Sequence, residues 1–234
     1  MRLILLRHGQ TPYNVAGALD TARPGAELTA LGQAQARALP GVLGGESISA
    51  IHASALIRTQ LTAAPLAAAR GLTIGVEEGL EEIVAGDLEL RSDRESIAAY
   101  LTVAGAWIHG DLDRAMPGGQ NGHEFVGRYD AAIAKIAAAH GERATALVVS
   151  HGAAIRAWTG IRVPGVGSVE NLWLRNTGMV ILDGDPSAGW NFLAWHSEPL
   201  GGAAPRDPTA QDVTTHDVTG APVAEATADN RAAQ

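Results

Sequence analysis

Two short stretches hold the residues best suited to chemistry. Arg7-His8-Gly9 follows the apolar run Leu3-Ile4-Leu5-Leu6, and Ser150-His151-Gly152 follows Ala146-Leu147-Val148-Val149. Each apolar run reads as a strand buried on both faces, ending where polar residues take over. In open α/β sheets ligands collect outside the carboxyl ends of the strands, so a guanidinium and two imidazoles delivered there predict an anion site. Gly9 lets the backbone turn sharply and come close to a bound group. A single Arg-His-Gly triplet recurs by chance, whereas two strands that each deliver His-Gly are far less easily accidental.

Other candidates are weaker alone. Arg58 opens a helical run and reads by itself as a surface cation, and His151 as a strand-end histidine. Thr11 and Asn14 suit turn bonding as well as phosphate contact. Two adjacent carboxylates, Glu81 and Glu82, lie in an acidic loop. His52, His109, His123 and His140 read as surface or packing residues; His123-Glu124 lacks the second histidine four residues on that a zinc-hydrolase helix requires. Gly41 to Ser47 is glycine-rich but lacks the Gly-Lys-Ser/Thr ending of a phosphate-cradling loop, so it reads as a turn. The chain has no cysteine, which excludes thiolate catalysis, disulfides and Cys-ligated metals.

The 234 residues, 46% of them hydrophobic, suffice for one domain with its own core. Seventeen basic against 25 acidic residues give a net charge of −8, which disfavours nucleic acid or an anionic membrane as the main partner. The anion site must then be a local concentration of Arg and His. The apolar run at the start is too short for a signal-peptide core, and no stretch approaches bilayer length, so the expectation is a cytoplasmic protein with no membrane contact.

The elements that must position these residues can be read in order. After the strand at Leu3, Thr11 to Asn14 is loop or a helix start, and Asp20 to Glu27 is an exposed turn region. Thr29 is an N-cap for a helix that Pro40 closes. Ile48 to His52 alternates as a strand, Leu56 to Ala69 is helical, and Thr73 to Val76 is a short strand. Helices follow over Arg94 to Trp107 and from about Asn121 to His140, then strand Ala146 to Val149 and helix Ala153 to Thr159. After an apolar run at Asn171 to Arg175, Met179 to Asp183 and Trp190 to Trp195 flank a turn and predict an antiparallel hairpin. Alternating strands and helices predict a three-layer α/β/α sandwich with a mostly parallel central sheet. The domain is expected over residues 1–198. Residues 199–234 read as a low-complexity tail without a core, expected to lie on the domain surface or against a second subunit of a homodimer.

Taken together, the pieces resemble the histidine phosphatase superfamily in its phosphoglycerate mutase-like branch, over roughly residues 2 to 196. They are Leu6 to Thr11 with Asn14, Leu28 to Ala36, Ser54 to Thr59 with Thr62-Ala63, Leu80 to Ile83 with Gly86, Pro117-Gly118-Gly119, and Ser150-His151-Gly152 with Ile155-Arg156. The resemblance implies a phosphohistidine mechanism on a small phosphorylated substrate, with no metal or other cofactor. His8 attacks phosphorus and must be neutral, a state favoured by Arg7 and Arg58. Those cations and His151 hold the phosphoryl oxygens, with Asn14 and Thr11 as further phosphate contacts. Glu82 falls on the family's general acid, with Glu81 the alternative if the register slips by one.

Two segments depart from the family pattern. After Gly86 the run is Asp87-Leu88-Glu89-Leu90, with Leu90 where relatives carry glycine, and Gly119-Gln120-Asn121 replaces Gly-Glu-Ser. Both border the substrate entrance in the family's layout, so specificity is expected to be written between Ile83 and Met116, with Arg91, Arg94, His109 and Arg114. Mutases carry a tyrosine and extra basic residues after the acid; here Ile83-Val84-Ala85-Gly86-Asp87 follows Glu82. That favours a phosphatase over a cofactor-dependent phosphoglycerate mutase. A non-catalytic phospho-ligand binder is the remaining alternative, though a binder needs no acid.

Overall fold

Leu3, Ile4, Leu5 and Leu6 have no exposed surface, and burying each contributes about 2 kcal/mol. Their strand, β1 (Arg2–Arg7), lies inside the sheet of a computed structural model that describes residues 1–164, 166 and 173–200. The tail from residue 201 and the first two residues of the apolar run 171–175 lie outside the described residues. The other strands are β2 (Ala50–Ser54), β3 (Ile74–Glu77), β4 (Thr145–Ser150), β5 (Met179–Asp185) and β6 (Gly189–His196). Their order is β3-β2-β4-β1-β5-β6. The first four run parallel, while β5 and β6 complete the sheet as an antiparallel hairpin.

The helices are α1 (Pro12–Ala16), α2 (Ala30–Val42), α3 (Ile57–Arg70), α4 (Arg94–Ile108), α5 (Gly122–His140) and α6 (Gly152–Arg162). Alternation along the strands divides the core in two. Leu3, Leu5 and Val148 pack with Tyr100, Trp107, Phe125, Tyr129 and Trp158 from α4, α5 and α6. Ile4, Leu6 and Val149 pack with Leu39 from α2 and Leu66 from α3. This is the expected α/β/α sandwich. Among the described residues no helix is long and apolar enough to cross a membrane.

Three local expectations need correction. Pro40 does not close α2, which runs on to Val42. Proline's fixed φ is helical and it forfeits only one hydrogen bond near the helix end, while buried Leu39 and Leu43 hold the last turn in the core. Strand β2 begins two residues later than the alternating pattern indicated; it is buried on both faces, so alternation was no guide to its limits. Gly9, thirdly, has no positive φ. Its lack of a side chain serves contact instead, because a Cβ there would lie 2.7 Å from the carbonyl oxygen of Gly32. A Cβ at Gly32 would in turn run into the carbonyl of Gln10.

The start of α2 is thereby seated backbone to backbone on the loop that follows β1. Thr29 caps it, accepting from Gly32 N at 3.0 Å, and its hydroxyl lies 2.9 Å from Gln10 Oε1. Gly32→Ala should therefore destabilise the protein by about 1–3 kcal/mol and reduce turnover as well. Thermal melts and activity checks both, and an unchanged pair of values would contradict this packing.

Candidate active site

Parallel pairing of β1 with β4 sets Arg7 opposite Ser150, so the next residue of each chain is a histidine at the same rim. His8 N donates to Ser150 O at 3.1 Å, and the His8 and His151 ring centroids stand 5.2 Å apart in an edge-on arrangement. On the other side of β4, Ser54 at the end of β2 places its hydroxyl 2.7 Å from His151 Nε2. Arg58 follows in the first turn of α3. Three neighbouring strand ends thus supply both imidazoles and a guanidinium.

His8 Nδ1 lies 2.7 Å from Gly9 O. A carbonyl only accepts, so Nδ1 carries the proton and Nε2 keeps its lone pair. Burial, then the Arg58 charge, then Arg7 hold the His8 pKa well below its ordinary value. His151 is held down likewise, by burial first and by Arg58 next. The two guanidiniums act as anticipated, but desolvation outweighs them.

Neither cation is a surface group. Arg7 is 1% exposed, and its Nη1 donates to Leu174 O at 2.8 Å. Arg58 is 2% exposed and grips Asp20, with Nη1 3.1 Å from Oδ2 and Nη2 2.8 Å from the carbonyl oxygen. Asp20 was expected in an exposed turn. Instead it lines the cleft with Leu19 and Thr21, and within that region only Ala22 to Pro24 and Glu27 are exposed. Arg58 Nε and His151 Nδ1 are buried without a hydrogen-bond partner among the described residues, as befits groups that serve a ligand.

The two acidic candidates separate cleanly. Glu81 turns outward, ion-paired to Arg23 and accepting from Gly79 N at 2.6 Å. Glu82 lines the cleft. Its Oε1 accepts from Ala154 N at 2.7 Å and Ile83 N at 2.9 Å, and its Oε2 from Ala153 N at 3.1 Å. The carboxyl group therefore caps α6, which has no side-chain cap from His151 itself.

Thr11 and Asn14 form a reciprocal capping box at the start of α1, so the turn-bonding role is real. Both also line the cleft. Asn14 Oδ1 accepts from Thr11 N and from Asn176 Nδ2, each at 3.1 Å, which leaves the Asn14 amide NH2 as the end able to donate to an anion. Asn176 was missed by sequence reasoning. It also donates to His8 O at 3.0 Å, and its neighbour Thr177 holds a left-handed φ of 60° while donating N–H to Arg7 O at 3.1 Å. Strain at that point fixes the backbone of both site residues.

Of the segment expected to set specificity, Tyr100 lines the cleft, whereas Arg91, Arg94, His109 and Arg114 do not. The first departing segment is tied to the turn just before the second, Asp87 N donating to Pro117 O at 2.8 Å. Leu90 adopts φ 59°, a conformation suited to the glycine it replaces, and Glu89 binds the Thr21 hydroxyl and the amides of Thr21 and Ala22. Those bonds shape the wall beside Asp20. No group of three or more His, Asp or Glu side chains among the described residues is arranged to hold a metal ion.

This fold and this rim of paired histidines define a class. The family model of the histidine phosphatase superfamily, branch 1, matches residues 3–198, and the chain belongs to that superfamily. Glucosyl-3-phosphoglycerate phosphatase of Mycobacterium tuberculosis is 32% identical over 213 residues, covering 85% of this chain and 87% of that protein. PE-PGRS family protein PE_PGRS11 of the same organism is 37% identical over 233 residues; the alignment takes in 93% of this chain but only 40% of that longer protein. Among solved structures, mycobacterial glucosyl-3-phosphoglycerate phosphatase complexed with VO3 superposes with a TM-score of 0.71 at 28% identity, covering 84% of this chain and 99% of that one.

Both imidazoles are neutral in the folded protein, while an unfolded chain protonates them near pH 6.5. Each therefore contributes stability that is complete above about pH 6.5 and is lost as the pH falls from there through the depressed folded value. In an NMR titration the His8 and His151 rings should show no midpoint near 6.5; an ordinary midpoint for either would contradict the burial.

Proposed function

We propose that the protein is a phosphatase of small phosphorylated metabolites that works through a phosphohistidine. The observation that carries this reading is the His8 ring, neutral and protonated at Nδ1, beside two buried guanidiniums. In the first step the Nε2 lone pair attacks phosphorus and the bond to the ester oxygen breaks. The leaving alkoxide takes its proton from Glu82. In the second step water attacks phosphorus and gives its proton back to Glu82 as the N–P bond breaks, releasing phosphate and neutral His8.

Arg7 and Arg58 meet the equatorial oxygens, where the transition state carries its charge, and stay charged at any working pH. Ser54, by donating to His151 Nε2, leaves the His151 proton on Nδ1 as one more donor; Asn14 and Thr11 add neutral ones. Glu82 retains a free lone pair on Oε2 while tied to α6, so it can exchange a proton there without leaving its place. Metabolite phosphoesters are charged and stay in the compartment that makes them, which suits a cytoplasmic setting. The absence of added basic residues after Glu82 favours water over a second phosphoglycerate as acceptor, and the phosphatase names of the relatives lean the same way.

Brief incubation with a phosphomonoester followed by denaturing quench should trap acid-labile phosphate on the protein, and His8→Ala should abolish both the label and turnover. A wild-type protein that binds phosphate yet never labels would leave only a binder. Glu82→Gln should lower turnover of an alkyl phosphate by 100-fold or more and Glu81→Gln by about threefold at most, read as kcat/KM. Equal small losses would remove Glu82 from its role. Formation of 2-phosphoglycerate from primed 3-phosphoglycerate faster than phosphate release would instead establish the mutase.

A further inference from the structure

The loop that delivers Glu82 has no secondary structure of its own between the end of β3 and the turn at Gly86. Its position therefore rests on whatever satisfies its backbone. Every carbonyl from Gly79 to Ile83 is taken by a side chain from elsewhere in the fold. Ser150 Oγ donates to Leu80 O at 2.8 Å and Tyr100 OH to Ile83 O at 3.0 Å. The other three fall to one residue on α5. Arg128 Nη1 donates to Gly79 O at 2.7 Å and Glu81 O at 2.9 Å, and its Nη2 to Glu82 O at 2.7 Å.

The guanidinium is itself fixed from behind. Its Nε donates to Gln120 Oε1 at 3.1 Å, and its plane lies over the Phe125 ring, 5.2 Å from the centroid. Gly79 has a φ of 99°, and a Cβ there would run into the carbonyl of Arg128, so the loop lies directly on the helix that holds it. A planar fork that meets three carbonyls at once is something a lysine ammonium cannot reproduce.

We propose that Arg128 is a positioning residue for proton transfer: by holding three carbonyls of the 79–83 loop it sets where the Glu82 carboxyl stands relative to the ester oxygen. The proposal rests on Glu82 being the general acid. It predicts a defect that depends on the leaving group. An alkyl phosphate needs a proton on its departing oxygen, whereas p-nitrophenyl phosphate expels a stable phenolate without one. Loss of fold or of phosphate binding would lower both alike.

The test compares kcat/KM for the two substrates in wild type, Arg128→Lys, Gln120→Leu and Glu82→Gln, with thermal melts alongside. Arg128→Lys should raise the ratio of p-nitrophenyl to alkyl phosphate turnover at least tenfold, and Gln120→Leu, which removes only the Nε partner, about two- to fivefold. In a Glu82→Gln background the Arg128→Lys shift in ratio should vanish, because the proton donor is already gone. Equal losses on both substrates, or a shift that persists without Glu82, overturn the proposal. If Arg128→Lys fails to melt cooperatively, the Gln120 variant decides, and an unchanged ratio there is fatal. If Glu82→Gln itself leaves the ratio unmoved, the acid assignment falls; if it moves the ratio and Arg128→Lys does not, only the clamp does.

Discussion

The parallel register between β1 and β4 is the constraint on which the rest of the structure hangs. Pairing Arg7 with Ser150 brings two histidines from distant parts of the chain out of the sheet as neighbours, at a rim where backbone hydrogen bonding stops and side chains take over. A slip of one residue would send each side chain to the opposite face. The slip is prevented by the burial of both strands beyond their first residue, with alternate residues committed to two separate cores. Packing on both sides of the sheet thus becomes positional accuracy at its edge.

That accuracy has an electrostatic cost. Two guanidiniums buried beside two imidazoles repel protons from the rings and lose hydration themselves, and such groups are tolerated only when most of their polar atoms are answered. Arg58 is answered by Asp20, through side chain and backbone; Arg7 is answered in part by Leu174 O. Glu82 brings its carboxylate to the amides of α6. Each charge has a fixed counterpart outside the reacting position, so the site is arranged before substrate arrives.

How much of this could be read from residues alone depended on how local each signal was. Arg7, His8 and His151 follow directly on buried strands, and Arg58 sits in a motif a few residues long, so pattern was enough to find them. The sandwich and the terminal hairpin were legible for the same reason, since alternation and turn chemistry are short-range. Glu81 and Glu82 could not be separated, because nothing distinguishes adjacent carboxylates until one meets Arg23 and the other the start of α6. Asp20 and Asn176 escaped notice because their places depend on loops folding back from far along the chain, and Tyr100 because no short-range signal tells which face of α4 meets the cleft. The arginines and the histidine of the segment after Ile83 looked suited to the cleft by charge but do not line it. Composition cannot say which way a helix faces.

The contact between Gly9 and Gly32 binds the loop after β1 to the start of α2 with no side chain between them. Surfaces made of side chains can be retuned by exchanging one rotamer or one methyl for another, but a seam of bare peptide has no such adjustable parts. Anyone transplanting the histidine-bearing loop into another scaffold, or diversifying it in a library, would have to carry the facing helical turn along as part of the same cassette.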